Sequence, residues 1–355
     1  MKSPVYFLKS SSGKLPKDKF IALLKKTGWI SNLAPKSLVA LKLHFGEEGN
    51  KGQIAPEYVA QFVKDIKSRN GKPFMVETGT LYAGNRSNAY DHMMLAFKHG
   101  YTYEAVGAPI IMADGVRGQA KTKVKINGQH LKEIDVASDA RVYDAMLVLT
   151  HVTGHLASGL GGTIKNLGMG LSSRAGKLVQ HSGMKPEVLD TKCTACNSCS
   201  EWCPANAIGV HEGDTAAKIN AKLCIGCGEC LTVCPVHAIK YDWNADKLKF
   251  QEKMAEYALG IVTGREKTIT YVSFLTSVTR NCDCMGNDNE TFFDDIGVLA
   301  STDPVAIDQA SIDLVNKARG TDFFRESFPA IDPCLQLVHG EKIGLGSREY
   351  EIIEI

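Results

Sequence analysis

The residues best suited to chemistry are cysteines, and their spacing is regular. Eleven occur among 355 residues, none before Cys193. Eight of them form two copies of one run: Cys193, Cys196, Cys199 and Cys203 before Pro204, and Cys224, Cys227, Cys230 and Cys234 before Pro235. Gaps of two, two and three residues closed by proline are the spacing that ligates [4Fe–4S] clusters in bacterial two-cluster proteins, where the fourth cysteine of each run serves the other cluster. The expected sets are therefore Cys193, Cys196, Cys199 and Cys234 for one cluster, and Cys224, Cys227, Cys230 and Cys203 for the other. Cys-x2-Cys pairs also bind zinc. A zinc knuckle closes on four ligands, though, and eight cysteines in two proline-terminated runs exceed that pattern. The copies repeat with a period of 31, and the likeness continues into residues 204–208 and 235–239. Small turn residues (Ala195, Gly226, Gly228) leave backbone N–H groups free to approach the sulfurs.

A second set of residues stands where strands are expected to end. The apolar runs 37–43, 73–76, 109–113 and 145–150 each read as a buried strand, and they end at His44, Glu77, Asp114 and His151. Ligands of open parallel sheets bind beyond the carboxyl ends of strands, so these groups are candidates for one crevice. His155 adds a second imidazole close to His151. Lys165 sits in the glycine-rich stretch 158–170, which fits neither the P-loop nor the dinucleotide fingerprint but could present N–H groups and one ammonium to an anion. Cys282 and Cys284 flank Asp283 after the expected strand 269–275; two adjacent soft ligands could join His44 or His151 on an additional metal or small cofactor. Each has a plainer role. A single histidine is more often a satisfied loop residue, Glu77 and Asp114 stand beside glycines as turn caps do, the glycine stretch could be a loop at the crevice mouth, and Cys282 and Cys284 could be inert thiols. Cys334, beside Pro333, reads as structural, and Asp303 as an N-cap before Pro304.

The elements that must position these groups follow an alternating pattern. Helical stripes are expected after Pro16, at Tyr58 to Ile66, over 88–99, at Phe250 to Ile261 and after Asp303; a strand is expected over 296–300. Asn127-Gly128 between residues 123–126 and 130–136 predicts a hairpin with a two-residue turn. Strands alternating with helices predict an α/β fold, a largely parallel sheet covered by helices. The cysteine segment interrupts it as an inserted α+β module, with the body at 1–189 and 243–355 and the module at 190–242.

Several stretches resemble the domain-of-unknown-function 362 family: LKLHFGEEGN (41–50), ETGTLYAGNRSNAYDHMMLA (77–96), ADGVRG (113–118), residues 150–182, NCDCMGND (281–288) and LASTDPVAIDQAS (299–311). The resemblance implies an iron–sulfur protein whose relatives in part carry the same dicluster ferredoxin insertion. It implies no reaction, substrate or catalytic residue.

Composition narrows the function classes. Hydrophobic residues make up 44%, charged residues 23%, and the net charge is +2, which gives no reason to expect nucleic acid or an anionic membrane as partner. With no apolar run at the start and no stretch long enough to span a bilayer, a cytoplasmic protein is expected, and cysteines there point to metal rather than disulfides. Three functions fit. In the first, the clusters pass electrons to a small-molecule substrate or cofactor at the strand-end crevice, a ferredoxin-type oxidoreductase with its own redox partner protein. In the second, the chain is an electron carrier between partners. In the third, it reduces or inserts a metal centre, with Cys282 and Cys284 as a transit site.

Overall fold

The computed structural model describes residues 2–11, 15–181, 186–240, 247–286 and 290–355. The expected boundary between module and body at 242–243, and the stretches quoted through residues 182, 287 and 288, run outside them. The chain opens with β1 (Ser3–Lys9), α1 (Phe20–Lys26), β2 (Leu38–Lys42), α2 (Pro56–Ser68), β3 (Lys72–Glu77), α3 (Ala89–Lys98), α4 (Tyr103–Val106) and β4 (Ile110–Met112). It continues through a hairpin of β5 (Lys121–Lys125) and β6 (Glu133–Ala137), then β7 (Ala145–His151), β8 (Thr153–His155), β9 (Gly159–Gly161), α5 (Thr163–Gly168) and α6 (Arg174–His181). The cysteine segment holds β10 (Glu187–Val188), α7 (Ser198–Glu201), β11 (Ile208–Gly209), β12 (Lys218–Ile219), α8 (Glu229–Val233) and β13 (Ile239–Lys240). After it come α9 (Lys247–Val262), β14 (Ile269–Leu275), β15 (Gly297–Ser301), α10 (Pro304–Arg319), α11 (Phe323–Ser327), α12 (Leu335–Lys342) and β16 (Tyr350–Glu354).

One eight-stranded sheet runs β16-β1-β15-β14-β7-β2-β3-β4. It is largely parallel, as the alternation predicts; among the described residues only β15 runs antiparallel, between β1 and β14. Strands from both sides of the cysteine segment meet at its centre, where β7 pairs β14 in parallel. The reason is visible in β7, AMLVLTH, buried along its whole length. Met146 and Val148 point into one core with Leu167 of α5, Met254 of α9 and Ile307 of α10, while Leu147 and Leu149 point into the other with Phe20 of α1 and Phe62 of α2. A strand covered on both faces is apolar without alternation.

Two expectations need correction. The Asn127-Gly128 hairpin has no two-residue turn: Ile126 N–H donates to Lys132 O, and residues 127–131 wrap the buried carboxylate of Glu256, which accepts from the N–H groups of Gln129, His130 and Leu131 at 2.7–2.8 Å. A tertiary carboxylate outweighs the local turn preference. The glycine-rich stretch 158–170 is not a loop but contains β9 and α5. Glycine is needed at 162 because a Cβ there would lie 2.6 Å from Asp308 Oδ2, whose carboxylate receives the N–H groups of Thr163 and Ile164.

Candidate functional site

Beyond the carboxyl ends of β2, β3, β7 and β14 lies a cavity of about 550 Å³. Of the residues singled out from the sequence, His44, Glu77, His151, His155, Lys165, Cys282 and Cys284 all line it. Asp114 does not. Its Oδ2 accepts the N–H of Gly79 at 2.8 Å from behind the β3 loop, and burial raises its pKa above the ordinary carboxyl value.

Much of the wall is made of fixed ion pairs. Glu77 Oε1 lies 2.7 Å from Lys42 Nζ, both side chains buried, and Lys42 also donates to Asn166 Oδ1 and Leu43 O. Burial opposes the charge on Glu77, but Lys42 and its neighbours overcome it and hold the pKa below the ordinary value. Arg86 donates to Tyr82 and Glu47, and its Nη1 lies 2.6 Å from His44 Nε2. His44 Nδ1 faces the N–H of Gly46 at 2.9 Å, so donors approach both ring nitrogens. Burial first, then the Arg86 charge, push its pKa well below the histidine range and keep the ring neutral. Lys177 donates to Thr78 Oγ1 and Ser172 O. Burial lowers Lys165 and Lys177 alike to a pKa of about 8. Arg86, Lys165 and Lys177 therefore face the cavity together with Glu77 and Asp283.

Lys42, Arg86 and Lys177 lie in stretches that resemble the family but are not singled out as site residues by the sequence. Lys42 had a usable signal: it is the lone cation inside LVALKL, and a buried lysine needs a partner. Arg86 and Lys177 sit in a loop and on the face of α6, where a cation draws no notice.

The two histidines after β7 do different work. His151 Nδ1 lies 2.9–3.0 Å from both Asp283 oxygens and Nε2 lies 2.7 Å from Thr276 O. Burial opposes its charge, yet Asp283 and these hydrogen bonds raise the pKa above the usual value. Both ring N–H groups are committed, and the pair anchors the Cys282–Cys284 loop. His155 Nδ1 receives the N–H groups of Ala157 and Ser158 at 3.2 and 3.1 Å. Burial and then Lys165 hold its pKa far down, so the ring is neutral and these partners assign its one proton to Nε2.

Cys282 and Cys284 are joined by a disulfide. The imidazole beside them is His155, not His44 or His151, which are occupied elsewhere. His155, Cys282 and Cys284 have donor atoms within 4.8 Å of one another, as do His130, Glu252 and His339 at the α9–α12 contact, so either group could hold a metal.

The cysteine segment has a small apolar cluster that includes Leu81 and Leu178 of the body. One pocket is lined by Cys193, Cys196, Cys199 and Cys234, another by Cys203, Cys224, Cys227 and Cys230. Its backbone repeats as its sequence does: Ala195, Asn197 and Asn206 have φ of 53°, 62° and 46°, and Gly226, Gly228 and His237, each 31 positions on, have 67°, 78° and 50°. Corresponding N–H groups of Ala207 and Ala238 donate to Cys203 Sγ and Cys234 Sγ at 3.1 and 3.2 Å. Strands cross between the halves, β10 pairing β13 and β11 pairing β12. The unit docks through its second run. Arg174 Nη1 lies 3.0 Å from Glu229 Oε2 in a buried ion pair, and Gly228 meets Leu81, where a Cβ would lie 2.8 Å from Leu81 Cδ1. Leu81 is also part of the cavity wall.

No helix among the described residues is long and apolar enough to cross a membrane. Among solved structures, the lactate racemase apoprotein from Thermoanaerobacterium thermosaccharolyticum aligns with a TM-score of 0.43 and 11% identity, over 90% of this chain and 58% of that one. A structural-genomics target from Thermotoga maritima aligns with a TM-score of 0.42 and 12% identity, over 86% and 57%. The chain thus spans less than two thirds of the length of either. No curated protein matches it by sequence. The model of one family, described as a domain of unknown function, matches residues 39–313, reaching across both flanks of the cysteine segment. On that match the chain belongs to the DUF362 family.

Proposed function

We propose that the chain is an iron–sulfur oxidoreductase that delivers electrons to a small anionic molecule held in the strand-end cavity. In this reading residues 190–242 are a ferredoxin-like insertion in a body made of residues 1–189 and 243–355. Cys193, Cys196, Cys199 and Cys234 hold one [4Fe–4S] cluster, and Cys203, Cys224, Cys227 and Cys230 hold the other. The donor set fits. Each pocket offers four thiols with N–H groups aimed at sulfur, and among the described residues no three of these sulfurs lie within 4.8 Å of one another. A zinc tetrahedron with Zn–S bonds of about 2.3 Å needs sulfurs about 3.8 Å apart, whereas a cubane spaces its thiolates more widely. When bound, such clusters supply electrons one at a time at potentials set by their surroundings.

The chain's own residues do the rest. Lys165, Lys177 and Arg86 attract the anion, and the Lys42–Glu77 and His151–Asp283 pairs keep the walls rigid. His155 Nε2–H can donate a hydrogen bond to an oxygen of the anion. One observation carries the reading: Leu81 is shared between the cavity wall and the seat of the second cysteine run, so electron source and anion site have a common boundary. Exposed Leu223, Ile225 and Trp202 beside the cluster cysteines suit the docking of a redox partner protein. Nine cysteines free of disulfides fit a reducing compartment such as the cytoplasm.

Anaerobic protein should contain about eight irons with matching sulfide. Binding of an anionic ligand should weaken as the pH rises past about 8, because Lys165 and Lys177 lose their charge there while ordinary lysines keep theirs. Lys165→Met should weaken it about tenfold with iron content unchanged. Zinc in place of iron would sink the proposal. If electron transfer between partner proteins persisted unchanged in Lys165→Met and His44→Ala, the carrier reading would replace it.

A further inference from the structure

The clusters of the proposed function would move single electrons, while most reductions of small molecules need pairs. A group that accepts two electrons at the cavity would reconcile them, and the wall contains one. Cys282 and Cys284 are disulfide-bonded and both face the cavity. Cys282 is buried, whereas Cys284 is partly open. Lys165 Nζ lies 3.5 Å from Cys282 Sγ, and the backbone N–H of Cys284 lies 3.4 Å from the same sulfur. The donor atom of His155 lies within 4.8 Å of both sulfurs, and its Nδ1 is already taken by two backbone N–H groups. These surroundings offer the sulfurs positive charge and hydrogen-bond donors.

We propose, resting on the reading above, that Cys282 and Cys284 are a redox-active pair that collects two electrons for the cavity. The balance is simple. The S–S bond breaks as it takes up two electrons, which a low-potential protein donor would supply singly through the clusters when these are bound, and one proton, giving a thiolate at Cys282 and a thiol at Cys284. Solvent can deliver that proton to the partly open Cys284, while Lys165 keeps its own and stays an ammonium beside Cys282. Cys282 becomes the thiolate stabilised by Lys165, since an adjacent ammonium favours thiolate over thiol, and Cys284 is the sulfur presented to the cavity. The same three residues could hold a soft metal ion, but two features favour the redox role. An ammonium beside Cys282 repels a cation. A ring whose Nδ1 accepts hydrogen bonds carries its proton on Nε2, where a metal would need a lone pair. The His151–Asp283 pair acts as a positioning device, fixing the residue between the sulfurs from the rigid end of β7.

The test counts electrons and thiols in anaerobic, cluster-containing full-length protein. Dithionite titration should consume two more electron equivalents in the wild type than in Cys282→Ser/Cys284→Ser. Differential alkylation with mass spectrometry should find the peptide carrying both cysteines unlabelled before reduction and doubly labelled after it. In Lys165→Met, which leaves the sulfurs in place, alkylation of Cys282 after reduction should be slower at pH 7 than in the wild type. Equal electron counts, full labelling in both states, or a stoichiometric metal ion released by the double substitution would overturn the proposal. Iron content reports separately on the clusters. In a preparation without iron, the same alkylation run with dithiothreitol still decides for or against the pair.

Discussion

The cysteine unit and the α/β body are built on opposite terms. The body has two apolar cores, one on each face of the sheet, drawn from strands and helices distant in sequence. The unit has strands of two residues, helices of four and five, and a small core of Cys199, Cys234, Leu231, Ile208, Ile239 and two alanines, completed by Leu81 and Leu178 borrowed from the body. Segments of this size seldom fold on apolar burial alone and usually need metals or cross-links. The comparison teaches that the body's shape is written in hydrophobic periodicity, and the unit's shape in ligand spacing.

Iron removal is the sharpest way to break that contrast, with the largest expected effect. Chelation under anaerobic conditions should abolish hydrogen-exchange protection across residues 187–240 while β7 and β14 stay protected. Loss of protection in both at once would show one cooperative unit and erase the distinction. Next comes the joint between them. Arg174→Met leaves Glu229 buried without its partner, and breaking such a pair costs about 3–5 kcal/mol. The loss should appear as earlier thermal release of the cysteine unit, read by cluster absorbance, with the sheet's transition nearly unmoved.

The same contrast explains what was legible in the sequence. The strand ends at His44, Glu77 and His151 could be read because strands covered on both faces are uninterrupted apolar runs, and the polar residue closing each one stands out. The grouping of the eight cysteines around two pockets matches the two sets that their spacing suggests. What stayed hidden depends on contacts between distant residues. The edge strand β16 is mostly exposed and has no buried stripe to announce it. The helix α5 is ordered by Asp308, 145 residues after Thr163, and the 127–131 loop is shaped by Glu256. Asp114 closes a strand as the others do, yet its carboxylate turns back to hold Gly79, and no spacing rule tells a cavity-facing carboxylate from one facing the backbone.

A smaller effect separates the cavity loop from both regions. The folded pKa of His151 is raised, so the stability it contributes is fully present below the unfolded value of about 6.5 and is lost as the pH rises through the folded value. Proteolysis within 276–286 should therefore speed up as pH climbs above about 6.5, and His151→Gln should be fast at every pH. A flat profile in the wild type would mean the loop is held by something other than the ion pair.

The smallest effect tests whether the body can be weakened without the unit noticing. Asp303 caps α10, its Oδ1 accepting the N–H groups of Val305 and Ala306. Its other oxygen accepts from Ser3 Oγ at 2.7 Å and Ser347 N at 2.8 Å, tying the start of β1 to the turn before β16. Replacing an N-cap aspartate with alanine usually costs about 1 kcal/mol. Here the carboxylate joins three segments, so Asp303→Ala should reach about 2 kcal/mol, the upper end of that range, as a lower melting temperature of the sheet. Every one of these contacts lies in the body. If the two regions are energetically separate, cluster content and electron paramagnetic resonance line shape should match the wild type at temperatures where the variant is still folded. A change in either would mean that strain passes through α10, α5 and the shared wall at Leu81 into the cysteine loops, and the unit would then have to be treated as part of the body's own core.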